Sequence, residues 1–591
     1  MRATFLGVEN SLTGKRWVTR GGGPETERLG LTLAQRHDLP EVVGRVMAAR
    51  GVGLDEADAF LTPSLRGSLP DPSLFQDMDL AAERLAKAVR DGETIGIFGD
   101  YDVDGATSAA LLARFLDAVG GRTLIHVPDR AAEGYGPNLP AMKSLKDRGA
   151  RIVVTVDCGI LAHEVLAAAA NDGIETIIID HHMAEPRLPE AVAVVNPNRL
   201  DETAGHGYLA AVGVCYLVVV AVNRALRSSG WYEGKVEPNL LTWLDLVALG
   251  TVCDVVPLIG LNRVLVTQGL RVMATRGNPG MAALADVART EAKPDTYQLG
   301  FILGPRVNAG GRVGEAPLGA RLLATEDAGE AREIAARLDA YNTERREIEQ
   351  SVLAEAIDQV EREARDDPVL VVAREGWHQG VIGIVAGRLR ERYNRPACVV
   401  ALQDGLGKGS GRSVPGVSLG PAVIAAHQSG ILLGGGGHAM AAGFSVAADR
   451  LDELRGFLSD RAADEIGKEP PAPTLGLDGA LAVGGANREL VETLARLEPF
   501  GTANSEPRFA VAEATVVKAD VVGERHVRCI LSGRDGDRLK SIAFRAMENE
   551  LGIALCSGVG RRFHIAGKVR PDDWRGAKGS QLIIDDAAPV L

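Results

Sequence analysis

The chain has 591 residues, of which 46% are hydrophobic and 24% are charged, and its formal net charge is −13. This length predicts several domains, each able to bury a core, and the apolar content is that of an ordinary globular protein. The acidic net charge argues against non-specific coating of duplex nucleic acid, and six cysteines without a CxxC pair indicate neither a disulfide framework nor a zinc ribbon.

The first region, residues 1–75, predicts an irregular leader that contains helices. Its start, Met1 to Phe5, lacks the apolar core of a signal peptide. The longest uncharged stretch of the chain, residues 207–223, is shorter than the roughly 20 apolar residues that a membrane span needs, so we expect a core helix there. Together with the scattered cysteines, these features predict a cytoplasmic protein with no membrane contact.

Residues 76–325 alternate short apolar runs with helical segments. Strands are expected at 94–98, 123–127, 152–156, 176–179 and 192–195, and helices from about Ala106 and near 140–148. Short β-branched runs bounded by polar residues are typical of buried parallel strands. The alternation therefore predicts an α/β fold with a doubly wound parallel sheet.

The rest of the chain predicts three further blocks. Residues 326–365 read as a long, charged connecting helix, and residues 366–470 return to a smaller α/β pattern with strands at 369–373 and 397–402. A Pro-rich break at 469–473 predicts a linker. Residues 474–591 carry five β runs, which suit a C-terminal β-barrel of the OB type: 514–517, 527–531, 541–544, 563–569 and 581–584.

Acidic and imidazole side chains follow three of the predicted strands. In open α/β sheets, ligands bind beyond the carboxyl ends of the strands, so we expect these side chains to form one site. Carboxylates at alternate positions repel one another unless a cation holds them, and hard divalent cations prefer oxygen ligands. The residues are Asp100, Asp102 and Asp104 after the first strand, Asp157 after the third, Asp180, His181 and His182 after the fourth, and Asp254 after a later apolar stretch.

Each of these acids also has a structural interpretation. A single Asp after a strand is more often a helix N-cap than a metal ligand. The first motif also resembles a calcium loop, but its twelfth position, counted from Asp100, is Leu111 instead of the required Glu. The occurrence of four such patches in one chain favours a metal site over a set of isolated caps.

The motifs resemble those of the DHH phosphoesterase superfamily. They are Asp-Tyr-Asp-Val-Asp-Gly at 100–105, Val-Asp-Cys-Gly at 156–159, Asp-His-His at 180–182 and Gly-Thr-Val-Cys-Asp-Val-Val-Pro-Leu at 250–258. The most similar branch is the RecJ family of bacterial single-strand-specific 5′→3′ DNA exonucleases. The glycine-rich run at 434–443 is similar to that of the associated DHHA1 domain, and Leu-Glu-Pro-Phe-Gly at 497–501 is similar to the entry of the OB domain.

The resemblance implies domains and site residues. It implies a leader at 1–75, a DHH catalytic domain at 76–325, a connecting helix at 326–365, a DHHA1 domain at 366–470 and an OB domain at 474–591. Two Mn²⁺ or Mg²⁺ ions would be held by Asp102, Asp104, Asp157, His181 and Asp254. The catalytic residues would be His182, Asp100 and Asp157. His182 would act at the scissile phosphate, or would instead partner Asp180, which we expect to orient His181.

A second set of residues is expected to hold the substrate. Near 304–312, glycines would let backbone N–H groups approach phosphate while arginines make bidentate contacts. Small residues and an arginine at 407–413 would form a phosphate cradle, and His438, which follows the later glycine run, would join them in holding the substrate. The predicted substrate residues are Arg306, Asn308, Arg312, Ser410, Arg412 and His438, and Trp377 is a weaker candidate for stacking a base, since Trp is more often a core residue.

The predicted function is a single-strand-specific 5′→3′ DNA exonuclease that releases 5′-mononucleotides by two-metal hydrolysis, in DNA repair and recombination. The resemblance also implies single-strand-binding protein, a helicase and recombination factors as partners, and we expect a monomer. One alternative is a phosphodiesterase of short oligonucleotides or cyclic dinucleotides. Another is a non-catalytic DHH scaffold that binds DNA, although such scaffolds lose metal ligands and this chain keeps every acid.

Overall fold

The computed structural model describes residues 4–129, 133–290, 293–363, 366–466, 472–572 and 579–590. The chain forms two compact units. The first comprises residues 1–71, 255–270 and 472–591, and the second comprises residues 72–254 and 271–471. The chain begins in the first unit with β1 (Arg16–Thr19), α1 (Pro24–Arg36), α2 (Glu41–Ala49), α3 (Ala57–Leu61) and α4 (Leu65–Ser68).

The second unit opens with a parallel α/β sheet. Its elements are α5 (Met78–Asp91), β2 (Thr94–Gly99), α6 (Val103–Ala118), β3 (Arg122–His126), α7 (Leu139–Asp147), β4 (Ala150–Val156), α8 (His163–Asn171), β5 (Glu175–Ile179) and β6 (Ala193–Val195). The strand order is β3-β2-β4-β5-β6, and every pairing is parallel. The order reverses between β2 and β4, which is where such sheets bind ligands.

Helices cover both faces of this sheet. Side chains alternate across a strand, so Phe98, Val153 and Ile178 share one face, where they form a core with Met142 of α7 and Leu166 of α8. The helix α6 also packs against β2, β3 and β4. The predicted doubly wound parallel sheet is therefore confirmed, and its buried strands are apolar on both faces, as the β-branched runs indicated.

A helical region follows the sheet. It contains α9 (Ala211–Ser228), α10 (Leu244–Cys253), α11 (Gly260–Met273), α12 (Pro279–Val287), a π-helix (Gln298–Leu303), α13 (Gly304–Val313), α14 (Leu318–Ala324) and the 36-residue α15 (Ala328–Glu363). The helix α9 is long and apolar enough to cross a membrane, yet 72% of it is buried inside the protein. It is a core helix, as expected, and α15 is the predicted connecting helix.

A smaller α/β region completes the second unit. It contains β7 (Leu370–Glu375), α16 (Ile382–Tyr393), β8 (Ala397–Gln403), β9 (Leu406–Arg412), α17 (Leu419–Gln428), β10 (Gly434–His438), β11 (Ala441–Ala447) and α18 (Leu451–Ile466). The sheet order is β10-β11-β9-β8-β7, and only β7 and β8 pair in parallel. Residues 469–471 of the predicted linker lie outside the described residues.

The C-terminal region is a closed barrel. Its elements are β12 (Thr474–Leu477), β13 (Gly479–Leu481), α19 (Arg488–Ala495), β14 (Phe509–Val522), β15 (His526–Ser532), β16 (Arg538–Ala543), α20 (Glu550–Ser557), β17 (Arg562–Asp572) and β18 (Gly579–Pro589). The order β14-β15-β16-β18-β17 closes by pairing β17 with β14, so five strands form the predicted barrel.

The leader and the barrel share one core. Leu33 of α1 and Met47 of α2 belong to the same buried cluster as Phe509 and Phe563 of the barrel. The strand β1 pairs in parallel with β12, and the Trp17 indole N–H donates to a carboxylate oxygen of the buried Asp586 at 2.9 Å. The leader is therefore an integral part of the first unit.

Candidate metal centre

The acidic motifs meet at one edge of the parallel sheet. Asp100 follows β2, Asp157 follows β4, and Asp180 to His182 follow β5. These strands are neighbours and run in parallel, so their carboxyl ends lie side by side. Asp254, at the C-terminal end of α10, joins them, because its Oδ2 lies 3.7 Å from Nε2 of His181.

The potential ligand atoms fall into three overlapping groups. Within each group, one oxygen or nitrogen from every residue lies within 4.8 Å of the others. Asp157 and His181 each belong to two groups, so the three groups are continuous. The groups are Asp100 with Asp102 and Asp157, Asp157 with His181 and His182, and Asp104 with His181 and Asp254. An arrangement of this extent has room for more than one cation.

The buried charges fit a cationic occupant. Among the described residues, Oδ1 of Asp157 and Oδ2 of Asp254 are buried oxygens without a hydrogen-bond partner. Burial, followed by repulsion from Asp102, raises the pKa of Asp157 well above its usual range and that of Asp254 to about 7. Carboxylates held together in this way are compatible with ionisation only when positive charge is supplied. The donor set, rich in oxygen with one central imidazole, suits Mg²⁺ or Mn²⁺ better than zinc.

The ring of His181 is oriented for metal binding. Its Nδ1 lies 3.0 Å from the carbonyl oxygen of Leu209. A carbonyl only accepts hydrogen bonds, so Nδ1 carries the proton and Nε2 presents its lone pair to Asp157, 3.3 Å away. Burial, followed by the charge of His182, lowers the pKa of His181 and favours this neutral form.

Asp180 is a fully engaged hydrogen-bond acceptor. It accepts from the backbone N–H groups of Ile160, His181 and His182, and from Nδ1 of His182 at 2.7 Å. The expectation that it orients the His181 ring is wrong, because Leu209 holds that ring and Asp180 holds the ring of His182. The Nε2 atom of His182 is thereby left as the group that can act on a ligand.

Asp102 and Asp104 also cap helices. Asp102 is the N-cap of α6 and accepts from the backbone N–H of Gly105 at 3.0 Å, so α6 begins at Val103 and not near Ala106 as predicted. The two oxygens of Asp104 accept from Ala211 and Val212, the first residues of α9, at 2.7 and 2.9 Å. The side chains that cap these helices are therefore also among the potential metal ligands.

The backbone at Asp157 lies in the left-handed region, with φ of +61°. Such a conformation is uncommon for a residue other than glycine and is typical of functional sites. The turn continues through Gly159 at φ +113°, where a Cβ atom would lie 2.6 Å from Oγ1 of Thr155. This strained turn aims the carboxylate of Asp157 back across the ends of β2 and β5.

Sequence reasoning missed Tyr135 at this site. Its ring lies edge-on, 6.2 Å from the ring of His182 and 6.5 Å from that of Tyr101, and 58% of the residue is exposed. It sits between Gly134 and Gly136, which both have positive φ. The Gly-Tyr-Gly sequence, an aromatic residue held in a tight turn, was the signal that could have revealed it.

The predicted substrate residues near 304–312 lie on a helix. The expectation that backbone N–H groups there approach phosphate is wrong, because α13 uses them internally. Its glycines instead permit close packing, since a Cβ on Gly311 would lie 3.1 Å from the carbonyl of Tyr101. Asn308 is half-buried, Arg306 pairs with Asp339 at 2.8 Å, and Arg312 donates to the carbonyl of Gly380 at 3.0 Å.

The smaller sheet carries the remaining substrate candidates. Ser410 and Arg412 lie together on β9, with Nη1 of Arg412 3.2 Å from Oγ of Ser410, and both border Gly383 at the start of α16. His438 is exposed at the end of β10. The glycine run before it lies in the edge strand β10, which pairs with β11. Trp377 is 7% exposed and donates to Glu355, so it is a core residue and not a stacking platform.

Three family models match the chain. They are the DHH family N-terminal domain over residues 94–251, the DHHA1 domain over residues 366–464, and the RecJ OB domain over residues 477–586. The three matches follow the same order as the sheet, the smaller α/β region and the barrel.

Whole proteins and solved structures are also similar. The single-stranded-DNA-specific exonuclease RecJ of Dickeya dadantii is 38% identical over 93% of this chain and 96% of its own length. That of Escherichia coli is 36% identical, over 94% and 96% respectively. The crystal structure of Thermus thermophilus RecJ with Mn²⁺ has a TM-score of 0.79 at 28% identity, covering 97% of this chain and 79% of that one. A second structure of that protein, with Mg²⁺, has a TM-score of 0.74 at 26% identity. The chain belongs to the RecJ family of single-stranded-DNA-specific exonucleases.

Proposed function

We propose that this chain is a metal-dependent exonuclease that degrades single-stranded DNA from the 5′ end and releases 5′-mononucleotides. The observation that carries the proposal is the continuous set of ligand atoms around Asp157 and His181, at the strand ends of a family member. The relatives named above are single-stranded-DNA-specific exonucleases, and they match this chain over nearly its whole length. Such an activity would serve DNA repair and recombination.

Two divalent cations, Mn²⁺ or Mg²⁺, are proposed as cofactors. When bound, such a pair activates a water and neutralises charge at the scissile phosphate. Asp157 would lie between the two positions, since it belongs to two ligand groups. The proposed ligands are Asp102, Asp104, Asp157, His181 and Asp254, with Asp100 beside them.

His182 is proposed to contact the scissile phosphate and to protonate the leaving oxygen. Its Nδ1 is committed to Asp180, and 40% of its side chain is exposed, so Nε2 is open to a ligand. The negative charge of Asp180 stabilises the protonated ring, which is the form that a general acid needs. Asp180 would therefore act by orienting the His182 ring and by stabilising its protonated form.

The single strand is proposed to bind along α13 and the smaller sheet. Arg306, Asn308 and Arg312 on α13 offer guanidinium and amide groups to phosphate. Arg312 reaches the loop before α16, so the DHH and DHHA1 regions contact each other at this point. The DHHA1 side would contribute Ser410, Arg412 and His438.

The barrel is proposed to bind the strand farther along. Phe509 and Phe563 are buried in its core, whereas Phe544 is 57% exposed and lies edge-on to His526. Trp574, another aromatic candidate in this region, lies outside the described residues. Base stacking on such rings, with arginines nearby, is how OB folds hold single strands.

The remaining assignments follow the family. We propose that the chain acts in the cytoplasm as a monomer, together with single-strand-binding protein, a helicase and recombination factors. Under this proposal, residues 76–325 form the DHH catalytic domain, residues 366–470 form the DHHA1 domain, and residues 474–591 form the OB domain that binds nucleic acid.

A nuclease assay with Asp157→Ala tests the proposal. Wild type should shorten a 3′-labelled single strand and release labelled mononucleotide from a 5′-labelled one with Mn²⁺, and it should lose all activity with EDTA, whereas Asp157→Ala should be inactive and should still bind the strand. The matched control is Asp147→Ala, an exposed aspartate on α7. A variant as active as wild type would contradict the two-metal site. Faster hydrolysis of a dinucleotide than of a long strand would favour the oligonucleotide phosphodiesterase instead.

A further inference from the structure

Two aromatic rings are exposed together at the start of the π-helix, one on its N-cap residue and one within it. Tyr297 and Phe301 are 62% and 72% exposed, and their rings stack with centroids 5.1 Å apart and an interplanar angle of 27°. Leu299 and Leu303, between and after them, are buried in the core. The rings are therefore held out from a firmly packed segment, and neither serves the core.

The segment that carries the rings is attached next to the metal centre. The thiol of Cys253 donates to the carbonyl of Leu299 at 3.5 Å, and a Cβ on Gly304 would lie 2.4 Å from the same sulphur. Cys253 directly precedes Asp254, whose carboxylate faces His181. The π-helix thus lies against the last turn of α10, one residue from a proposed ligand. π-helical segments are rare and frequently mark functional sites.

The same segment continues into the proposed substrate helix. Nη1 of Arg306, on the first turn of α13, donates to the carbonyl of Ile302 at 2.7 Å. Farther along, Gly311 packs against Tyr101 of the first acidic motif. The π-helix and α13 therefore run past the metal centre from Asp254 to Tyr101, and the exposed rings lie at the end of that path.

We infer that Tyr297 and Phe301 form a platform on which a base of the single strand stacks as the strand passes the metal centre. The inference rests on the proposed function, because it names further residues that position the same substrate. Every nucleobase has a π-face, so such a platform would hold a strand without reading its sequence. The two rings already stack on each other, so little conformational freedom is lost when a base adds to them.

Binding measurements on base-bearing and abasic strands of equal length test the platform. The full-length chain carrying Asp157→Ala is used with Mg²⁺, so that the strand is bound and not cut. Adding Tyr297→Ala and Phe301→Ala should weaken binding of the base-bearing strand about tenfold and leave binding of the abasic strand unchanged. A 2-aminopurine placed along the strand should be less quenched by this variant than by its parent.

Ring-preserving variants and a distant control complete the experiment. Tyr297→Phe should bind both strands as the parent does, and so should Leu200→Ala, which alters another exposed apolar residue of the second unit. Unchanged binding of the base-bearing strand would overturn the inference and would point to a protein partner for the rings. Equal weakening of both strands would also overturn it. The proposed function is judged separately, by Mn²⁺-dependent cleavage with Asp157 intact.

Discussion

Replacing Asp180 with asparagine separates the orientation of His182 from metal binding. The carboxylate accepts four hydrogen bonds. Oδ1 accepts from the backbone N–H groups of His181 and His182 and from Nδ1 of His182, and Oδ2 accepts from the N–H of Ile160. Asparagine keeps one oxygen and gains an NH₂ group. If that oxygen stays at the Oδ1 position, His182 keeps a neutral acceptor, but the new NH₂ group faces the Ile160 N–H.

The magnitudes follow from these contacts. A charge-assisted hydrogen bond is about twice as strong as a neutral one, so the protonated His182 ring should lose about 1.4 kcal/mol of stabilisation. Asp180 raises the pKa of His182 to about 9 against the effect of burial, so this loss lowers that pKa by about one unit, and kcat above about pH 9, where fewer rings then hold the proton to be donated, should fall up to about tenfold. The unpaired N–H of Ile160 should lower the free energy of unfolding by about 1–3 kcal/mol.

Three measurements check the Asp180→Asn prediction. Initial rates at saturating single strand give kcat, calorimetric titration gives Mn²⁺ affinity, and urea denaturation gives stability. We expect kcat above about pH 9 to fall with Mn²⁺ affinity unchanged within about twofold, and Asp147→Asn to match wild type in all three. An unchanged kcat would refute the role of Asp180 in holding His182. A large loss of Mn²⁺ affinity would show instead that Asp180 is itself a ligand.

Three further predictions concern packing and buried charge. Arg263→Met should lower the free energy of unfolding in urea by about 3–5 kcal/mol, because the buried guanidinium donates to the carbonyls of Phe60 and Leu497; a loss below about 1 kcal/mol would contradict this. Gly250→Ala should weaken Mn²⁺ binding about tenfold by calorimetry, because its Cβ would lie 2.3 Å from Oγ1 of Thr107 and 3.0 Å from Oδ1 of Asp104 and would displace the Asp104 carboxylate, whereas unchanged affinity would count against Asp104 as a ligand. Burial raises the pKa of Asp245 to about 6, so the native state binds the carboxyl proton more tightly than the unfolded chain does. The free energy of unfolding therefore falls as the pH rises from about 4 through 6. Asp245→Asn should therefore stabilise the protein by about 3 kcal/mol at pH 8 and hardly at all at pH 4 in thermal or urea unfolding, and an equal gain at both would refute the assignment.

The strands that build the metal centre were predictable from local sequence. Runs such as 152–156 and 176–179 are β-branched, short and bounded by polar residues, and each became a buried parallel strand. The acids that follow them were predictable as a cluster, because parallel strands place their carboxyl ends on one edge. Local pattern and general topology were sufficient for this part of the molecule.

The helix α13 was not predictable from its composition. Glycine has a low helix propensity, so three glycines within 304–311 argue against a helix. Close packing outweighs propensity here, since a side chain on Gly304 would collide with Cys253 and one on Gly311 would press on Tyr101. The residues that leave space only for glycine at these positions lie far away in the sequence, so no local pattern indicates them.

The shared core of the leader and the barrel was also not predictable from the sequence. Trp17 and Asp586 are separated by almost the whole chain, yet they form a buried hydrogen bond. The apolar periodicity of neither region indicates that its packing partner lies at the opposite end of the sequence. A consequence for experiments is that removing residues 474–591 would expose the cluster around Leu33 and Met47, so point substitutions are the sounder test of the barrel.

A carboxylate at this site can cap a helix and also be a candidate metal ligand, so the two interpretations of the acids do not exclude each other. An ionised carboxylate has about four lone-pair positions, and capping uses only one or two of them. Asp104 can therefore cap the start of α9 and still offer lone pairs to a cation. Its carboxylate lies in one ligand group with His181 and Asp254. Removing it would disturb a helix and a cation site at once. The buried Oδ1 of Asp157 makes no hydrogen bond within the described residues, so its loss affects the cation site with less disturbance of the fold. For that reason Asp157, and not Asp104, is the residue whose removal distinguishes catalysis from folding.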